Sequence, residues 1–125
     1  MANLFLDTNI LIDIFEQRKP INLLALSFYD LRYSPLSIHI YLYLYKLKTP
    51  LPELALIMQK LRIKAVNFSA EITEKALNGP TLDFEDNVQL QSANEAGCDY
   101  FLTNDKKMWG KKFFQGMKVI KELPQ

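Results

Sequence analysis

The sequence predicts one α/β domain over residues 1–125, with a mainly parallel central sheet flanked by helices. Two observations lead to it. A short apolar run without polar alternation, Leu4-Phe5-Leu6, suits a strand buried on both faces, and Asp99 to Thr103 reads as another strand. Between them lie segments of helical periodicity opened by Ser, Thr, Asp or Pro and closed by Asn or Gly, with no internal repeat, low-complexity tract or flexible linker. Strands alternating with helices in this way build a parallel sheet.

The first strand stops at Asp7, where Thr8 and Asn9 can each cap a helix carrying Ile10, Leu11, Ile14 and Phe15 at helical spacing. Two readings of Asp7 stay open. It is a further cap, or a carboxylate at the carboxyl end of a strand, the edge of open parallel sheets where ligands bind. With Thr8 and Asn9 both available for capping, Asp7 is surplus to that duty.

Pro20 then opens a second helical segment through Ile21, Leu24, Ala25, Phe28 and Leu31, giving way near Asp30 to a short strand, Leu-Arg-Tyr. Ser34-Pro35 is a cap followed by a first-turn proline. Ile38 to Tyr45 alternates with period two and is rich in β-branched and aromatic residues, yet the punctuation before it is helical, and a helix is expected. Such a helix presents apolar or tyrosine side chains in nearly every direction, as a buried helix or a subunit interface does. The expectation is a homodimer using part of Tyr41 to Tyr45. His39 has no second histidine with which to share a metal.

Pro50 and Pro52 open a fourth helix running to about Leu61. Ile63 to Val66 reads as a strand, Asn67 and Ser69 cap a helix from Ala70 to Leu77, and Asn78-Gly79-Pro80 ends it. Asp83 can cap the next helix, which runs to Ala96 with Gly97 as its stop. Glu85 and Asp86 then fall in its first turn, where each acid gains roughly 0.3–1 kcal/mol from the helix dipole. Asp99 to Thr103 is a strand that breaks at its carboxyl end into Asn104-Asp105, a second strand-end aspartate. Met117 to Ile120 reads as a final edge strand.

Composition narrows the function classes. Fifteen basic against fourteen acidic side chains give no global field for nucleic acid or membrane, so any such partner must be read from a local patch. One lies after Asp105: Lys106, Lys107, Lys111 and Lys112 surround Trp109, a set that can hold single-stranded RNA by phosphate contact and base stacking. The alternative is a solvated lysine loop with Trp109 tucked into the core. Cys98 is the only cysteine, which fits a reducing compartment and the role of a small core residue. No apolar run reaches spanning length and none has the form of a signal peptide, so the expected location is cytoplasmic, without a membrane partner.

"LFLDTNILIDIF", "YSPLSIH" and "TLDFEDNVQLQSANEAGCDYFLTNDKKM", in that order, resemble the PIN-domain family, including the VapC-type ribonuclease toxins of toxin–antitoxin pairs. The resemblance covers nearly the whole chain. It implies a metal-dependent endoribonuclease of single-stranded RNA, with an antitoxin as a candidate partner. It further implies that Asp7, Asp86 and Asp105 are the catalytic acids that bind Mg²⁺ or Mn²⁺, and that Asn9, Asp83 and Thr103 support them. The chemistry is consistent: hard oxygen ligands suit Mg²⁺, and a divalent ion lowers the pKa of a water and balances charge on a phosphodiester.

The chain departs from the family at Ile40, where a glutamate usually completes the acidic site. No acid lies between Asp30 and Glu53. A PIN fold without nuclease activity, kept as a nucleic-acid-binding or protein-interaction module, is the alternative.

Overall fold

The computed structural model describes residues 1–18, 21–110 and 113–124. Asn3–Leu6 forms β1, with Leu4, Phe5 and Leu6 fully buried, as a strand covered on both faces requires. It is flanked on one side by β2 (Asp30–Tyr33) and on the other by β4 (Tyr100–Leu102), both parallel to it. Beyond β2 lies β3 (Lys64–Ala65). Beyond β4 come β6 (Met117–Ile120), also parallel, and β5 (Phe113–Phe114), antiparallel, giving the order β3-β2-β1-β4-β6-β5.

Two cores sandwich the sheet. Alternate residues of β1 divide between them: Leu4 and Leu6 pack with α1 (Thr8–Phe15), Leu31 and Tyr41, whereas Phe5 packs with α5 (Ala70–Leu77) and α6 (Phe84–Glu95). Phe5 and Phe101 stack across the β1–β4 pair with ring centres 5.4 Å apart. Cys98 is free and buried in this second core, where burial pushes its thiol up to about 11, so it behaves as a small apolar residue.

The punctuation works as expected in most places. Ser34 caps α3 (Pro35–Leu44) and Ser69 caps α5, accepting from Leu36 N and Ile72 N respectively. Asp83 caps α6 by accepting from Asp86 N at 3.0 Å, and Gly97 beyond its end has φ +66°, a conformation glycine adopts without penalty. The period-two stretch Ile38–Tyr45 begins in α3, whose Tyr41 ring packs against Phe15 and Tyr45. Tertiary packing and the cap outweigh the strand propensity of its residues.

Three expectations are corrected. The second helix is only α2 (Leu23–Leu26), capped by Asn22. Leu24 and Phe28, which gave the helical spacing, are 72% and 68% exposed and face no core, while Leu31 belongs to β2. Its proposed start at Pro20 lies outside the described residues. The strand Met117–Ile120 is internal, because Gln115 and Gly116, both at positive φ, turn β5 back against it in a tight hairpin. Finally, the lysine segment after Asp105 contains a helical turn, α7 (Lys106–Trp109). The fourth helix, α4 (Pro52–Leu61), forms where expected. No helix among the described residues is long and apolar enough to cross a membrane.

Candidate active site

Parallel pairing of β1 with β4 puts the residues that follow them side by side. Leu6 is in register with Leu102, and Asp7 N donates to Leu102 O at 3.0 Å, so Asp7 and Thr103 meet at the carboxyl edge. Thr103, fully buried, donates its hydroxyl to Asp7 Oδ2 at 2.6 Å and accepts from Asp105 N at 3.0 Å. One threonine therefore ties the two strand-end acids together.

Asp7 is itself the N-cap of α1, its Oδ1 accepting from Thr8 N at 2.8 Å. The expectation that Thr8 and Asn9 would leave Asp7 free of capping is corrected. Thr8 and Asn9 are inside the helix and their side chains go elsewhere: Thr8 Oγ1 pairs with Ser37 Oγ at 2.8 Å, and Asn9 Oδ1 accepts from Asn104 N at 3.1 Å. Asp13, one turn further along α1, accepts from the Asn104 amide and pairs with Arg18 at 3.4 Å. Asn9 and Asp13 thus clamp the loop that carries Asp105.

The third acid arrives from α6. Asp86 is half-buried in its first turn, beside the exposed cap Asp83. Burial pushes Asp86 up from 3.8 to about 7, and the charges of Asp83, Asp7 and Asp105 push the same way, while Lys107 opposes them. Asp7, almost wholly buried, is raised to about 6, first by desolvation and then by Asp105 and Asp83, against the hydrogen bonds from Thr103 and Thr8. Asp7, Asp83, Asp86 and Asp105 therefore share one electrostatic site: Asp7 on its floor, Asp86 and Asp105 half-buried, and Asp83 exposed at the rim.

A hard divalent cation suits this donor set. The charges of Asp83 and Asp105 hold Asp7 and Asp86 towards protonation, and Asp83 and Asp105 each show one oxygen committed to a backbone N–H. As they stand, no three or more His, Cys, Asp or Glu side chains among the described residues are grouped closely enough to enclose an ion. The fit is one of chemistry and convergence.

The remaining candidates divide. Lys106 and Lys107 are exposed at the start of α7. Trp109 is half-buried, its indole N–H donating to Thr103 O at 2.8 Å and Lys121 Nζ lying over its ring 5.5 Å from the ring centre. Lys111 lies outside the described residues. Ile40 is half-buried on α3, one turn past Ser37, and belongs to neither core. Glu53 opens α4 and lines a separate groove with Phe15, Tyr41 and Leu54, so it does not replace the missing acid. His39 is exposed and stacks on Tyr43. Sequence reasoning missed Ser37 and Gln89, whose side chains are linked beneath the site; both lie within the stretches that resemble the family, but nothing in their spacing pairs them.

A mainly parallel α/β sheet with carboxylates converging at its carboxyl edge defines a class of acidic-site α/β domains. A family profile described as PIN domain matches residues 3–107, and the chain belongs to that family. Among solved structures it is similar to VapBC2 from Rickettsia felis bound to a DNA fragment from its promoter, at 16% identity and a TM-score of 0.65, over 95% of this chain and 98% of that one. It is also similar to FitAB bound to an IR36 DNA fragment, at 15% identity and a TM-score of 0.49, over 94% and 93% of the two chains. No curated protein sequence matches it.

Proposed function

We propose that this PIN domain is a divalent-metal-dependent endoribonuclease acting on single-stranded RNA, as the toxin of a toxin–antitoxin pair. The observation that carries the reading is the convergence of Asp7, Asp86 and Asp105 from three distant parts of the chain, with Asp105 acting on the ionisation of both Asp7 and Asp86, and Asp7 on that of Asp86. Evolving a fold around mutual repulsion makes sense where a cation relieves it. Asp7, Asp86 and Asp105 would hold Mg²⁺ or Mn²⁺, which supplies a water of lowered pKa and offsets charge on the phosphodiester. The chain's own part is to fix the acids: Thr103 orients Asp7 and the Asp105 backbone, Asp83 holds the first turn of α6, and Asn9 anchors the loop before Asp105 through Asn104.

Lys106 and Lys107 would meet the RNA backbone. With divalent ions removed, replacing both by alanine should weaken binding of a single-stranded oligonucleotide and flatten its salt dependence, by about 0.7 in log–log slope for each phosphate that is no longer neutralised. An unchanged slope in a filter-binding titration would remove them from the interface. An antitoxin and a second copy of the chain are the proposed protein partners. For self-association, Tyr43 and Leu44, 76% and 61% exposed, are the exposed large apolar side chains of α3, whereas Tyr41 is buried in the core. Sedimentation should show twice the 14.5 kDa chain mass, falling to a single chain when Tyr43 and Leu44 are both changed to Glu. A natural protein that sediments as a monomer at micromolar concentration would contradict this.

A second reading, a PIN fold serving as a binding module without turnover, is favoured by Ile40 and by the open spacing of the acids. Titrating Mn²⁺ while following both binding and cleavage of a generic single-stranded RNA separates the two. Binding with metal-dependent cleavage supports the nuclease, and RNA binding without cleavage in either ion supports the module.

A further inference from the structure

Beneath the acidic site, hydrogen bonds joined through the covalent frame of Thr8 lead from Asp7 to a residue without an assigned role. Gln89 lies on α6 one turn after Asp86, is 1% exposed, and its Oε1 accepts from Ser37 Oγ at 3.3 Å. Ser37, also buried, stands 2.8 Å from Thr8 Oγ1, and Thr8 N donates to Asp7 Oδ1. Because the Ser37 proton is given to Gln89, the Thr8 hydroxyl must give its own proton to Ser37. Thr8 Oγ1 is then left with acceptor lone pairs only, beside Asp7.

The Nε2 atom of Gln89 is buried with no partner. A leucine or methionine would fill the same space without an orphaned donor, so packing alone gives no reason for the carboxamide. Its working atom is the acceptor that fixes the direction of the Thr8–Ser37 pair. The same chain couples α6, which carries Asp86, through α3 to the turn that carries Asp7.

We propose that Gln89 and Ser37 are positioning residues of the acidic site: through Thr8 they hold Asp7 and the Asp86 helix in register and turn the Thr8 hydroxyl into an oxygen acceptor for whatever cation the site holds. This rests on the metal-site reading above. It also explains how a site without an acid at Ile40 keeps an oxygen donor supported from α3, one turn earlier on the same helix.

The test is Mn²⁺ binding to the intact protein, followed by the electron paramagnetic resonance of free Mn²⁺, together with the melting temperature of the metal-free protein. Gln89→Met should leave that melting temperature unchanged or higher and weaken Mn²⁺ binding on the order of 10-fold, the size expected for loss of an outer support to a metal ligand. Ser37→Ala should weaken it comparably, and the double variant no further than the worse single one, because both break one chain. A dissociation constant within twofold of the natural value in both single variants overturns the inference while the metal site stands. So do losses that multiply in the double variant. If the natural protein binds no Mn²⁺, the metal-site reading itself fails and this inference falls with it.

Discussion

Asp7→Asn is expected to abolish metal-dependent cleavage while making the metal-free protein more stable at neutral pH. The first effect follows from removing a hard anionic ligand at the floor of the site; losing even an outer support costs about 10–100-fold, so the loss here should exceed about 100-fold. The second follows from the ionisation of Asp7. Its folded value of about 6 stands above the ordinary 3.8, so between those values the native state binds more protons than the unfolded chain, and stability falls as pH rises. The shift corresponds to about 3 kcal/mol, fully felt above pH 6 and absent below about pH 4. The asparagine carboxamide can still accept from Thr8 N and can donate to Thr103 Oγ1, but it never ionises. Thermal melts from pH 4 to 8 should therefore show the natural metal-free protein losing stability through pH 4–6, with a shallower fall in the variant. Mg²⁺ should restore the natural protein and leave the variant unmoved. Equal cleavage by the two proteins would refute the mechanism, and a variant that melts lower at pH 7 would refute the account of Asp7 burial.

Ile40→Glu is expected to tighten Mn²⁺ binding and raise cleavage, each by about 10-fold, the lower end of the range for altering a metal's immediate supports. The structure removes the main objection to the substitution. Ile40 is only half-buried and packs in neither core, so a carboxylate there is not forced into an apolar interior. It sits one turn beyond Ser37, whose hydroxyl lies 2.8 Å from Thr8 Oγ1, so the substitution is made on the helix that meets the Asp7 turn. Without metal the added charge should repel Asp7 and Asp86 and lower the melting temperature, and Mn²⁺ should reverse that loss. Unchanged Mn²⁺ affinity with a lower melting temperature at every metal concentration would show that residue 40 does not reach the site.

The order of strands and helices was written in local signals. Buried runs at Leu4–Leu6 and Tyr100–Leu102, the Ser34-Pro35 and Ser69 caps and the Gly97 stop each act within a few residues, so their meaning survives without tertiary context. The acids Asp7, Asp86 and Asp105 were legible as strand-end or helix-start residues, and the family resemblance grouped them. Local signals also misled: Leu24 and Phe28 have helical spacing yet lie exposed, because periodicity marks an amphipathic face only where something packs against it.

Tertiary structure alone decided the rest. Whether Asp7 is a cap or a site residue has no answer in its neighbours, and the fold makes it both: the same carboxylate accepts from Thr8 in its own helix and from Thr103 ninety-six positions away. The raised ionisation of Asp7 and Asp86 needs burial and the charges of Asp83 and Asp105, joined for Asp86 by that of Asp7, brought together by the β1–β4 pairing and the docking of α6. Trp109 neighbours the lysines in sequence, but only the fold joins its indole N–H to Thr103 O at the carboxyl edge of the sheet. Gln89 and Ser37, fifty-two positions apart, become partners only when α3 and α6 approach the same turn. Electrostatic fields and buried hydrogen bonds depend on distance in space, and sequence spacing carries that distance only within a helix, a strand or a turn.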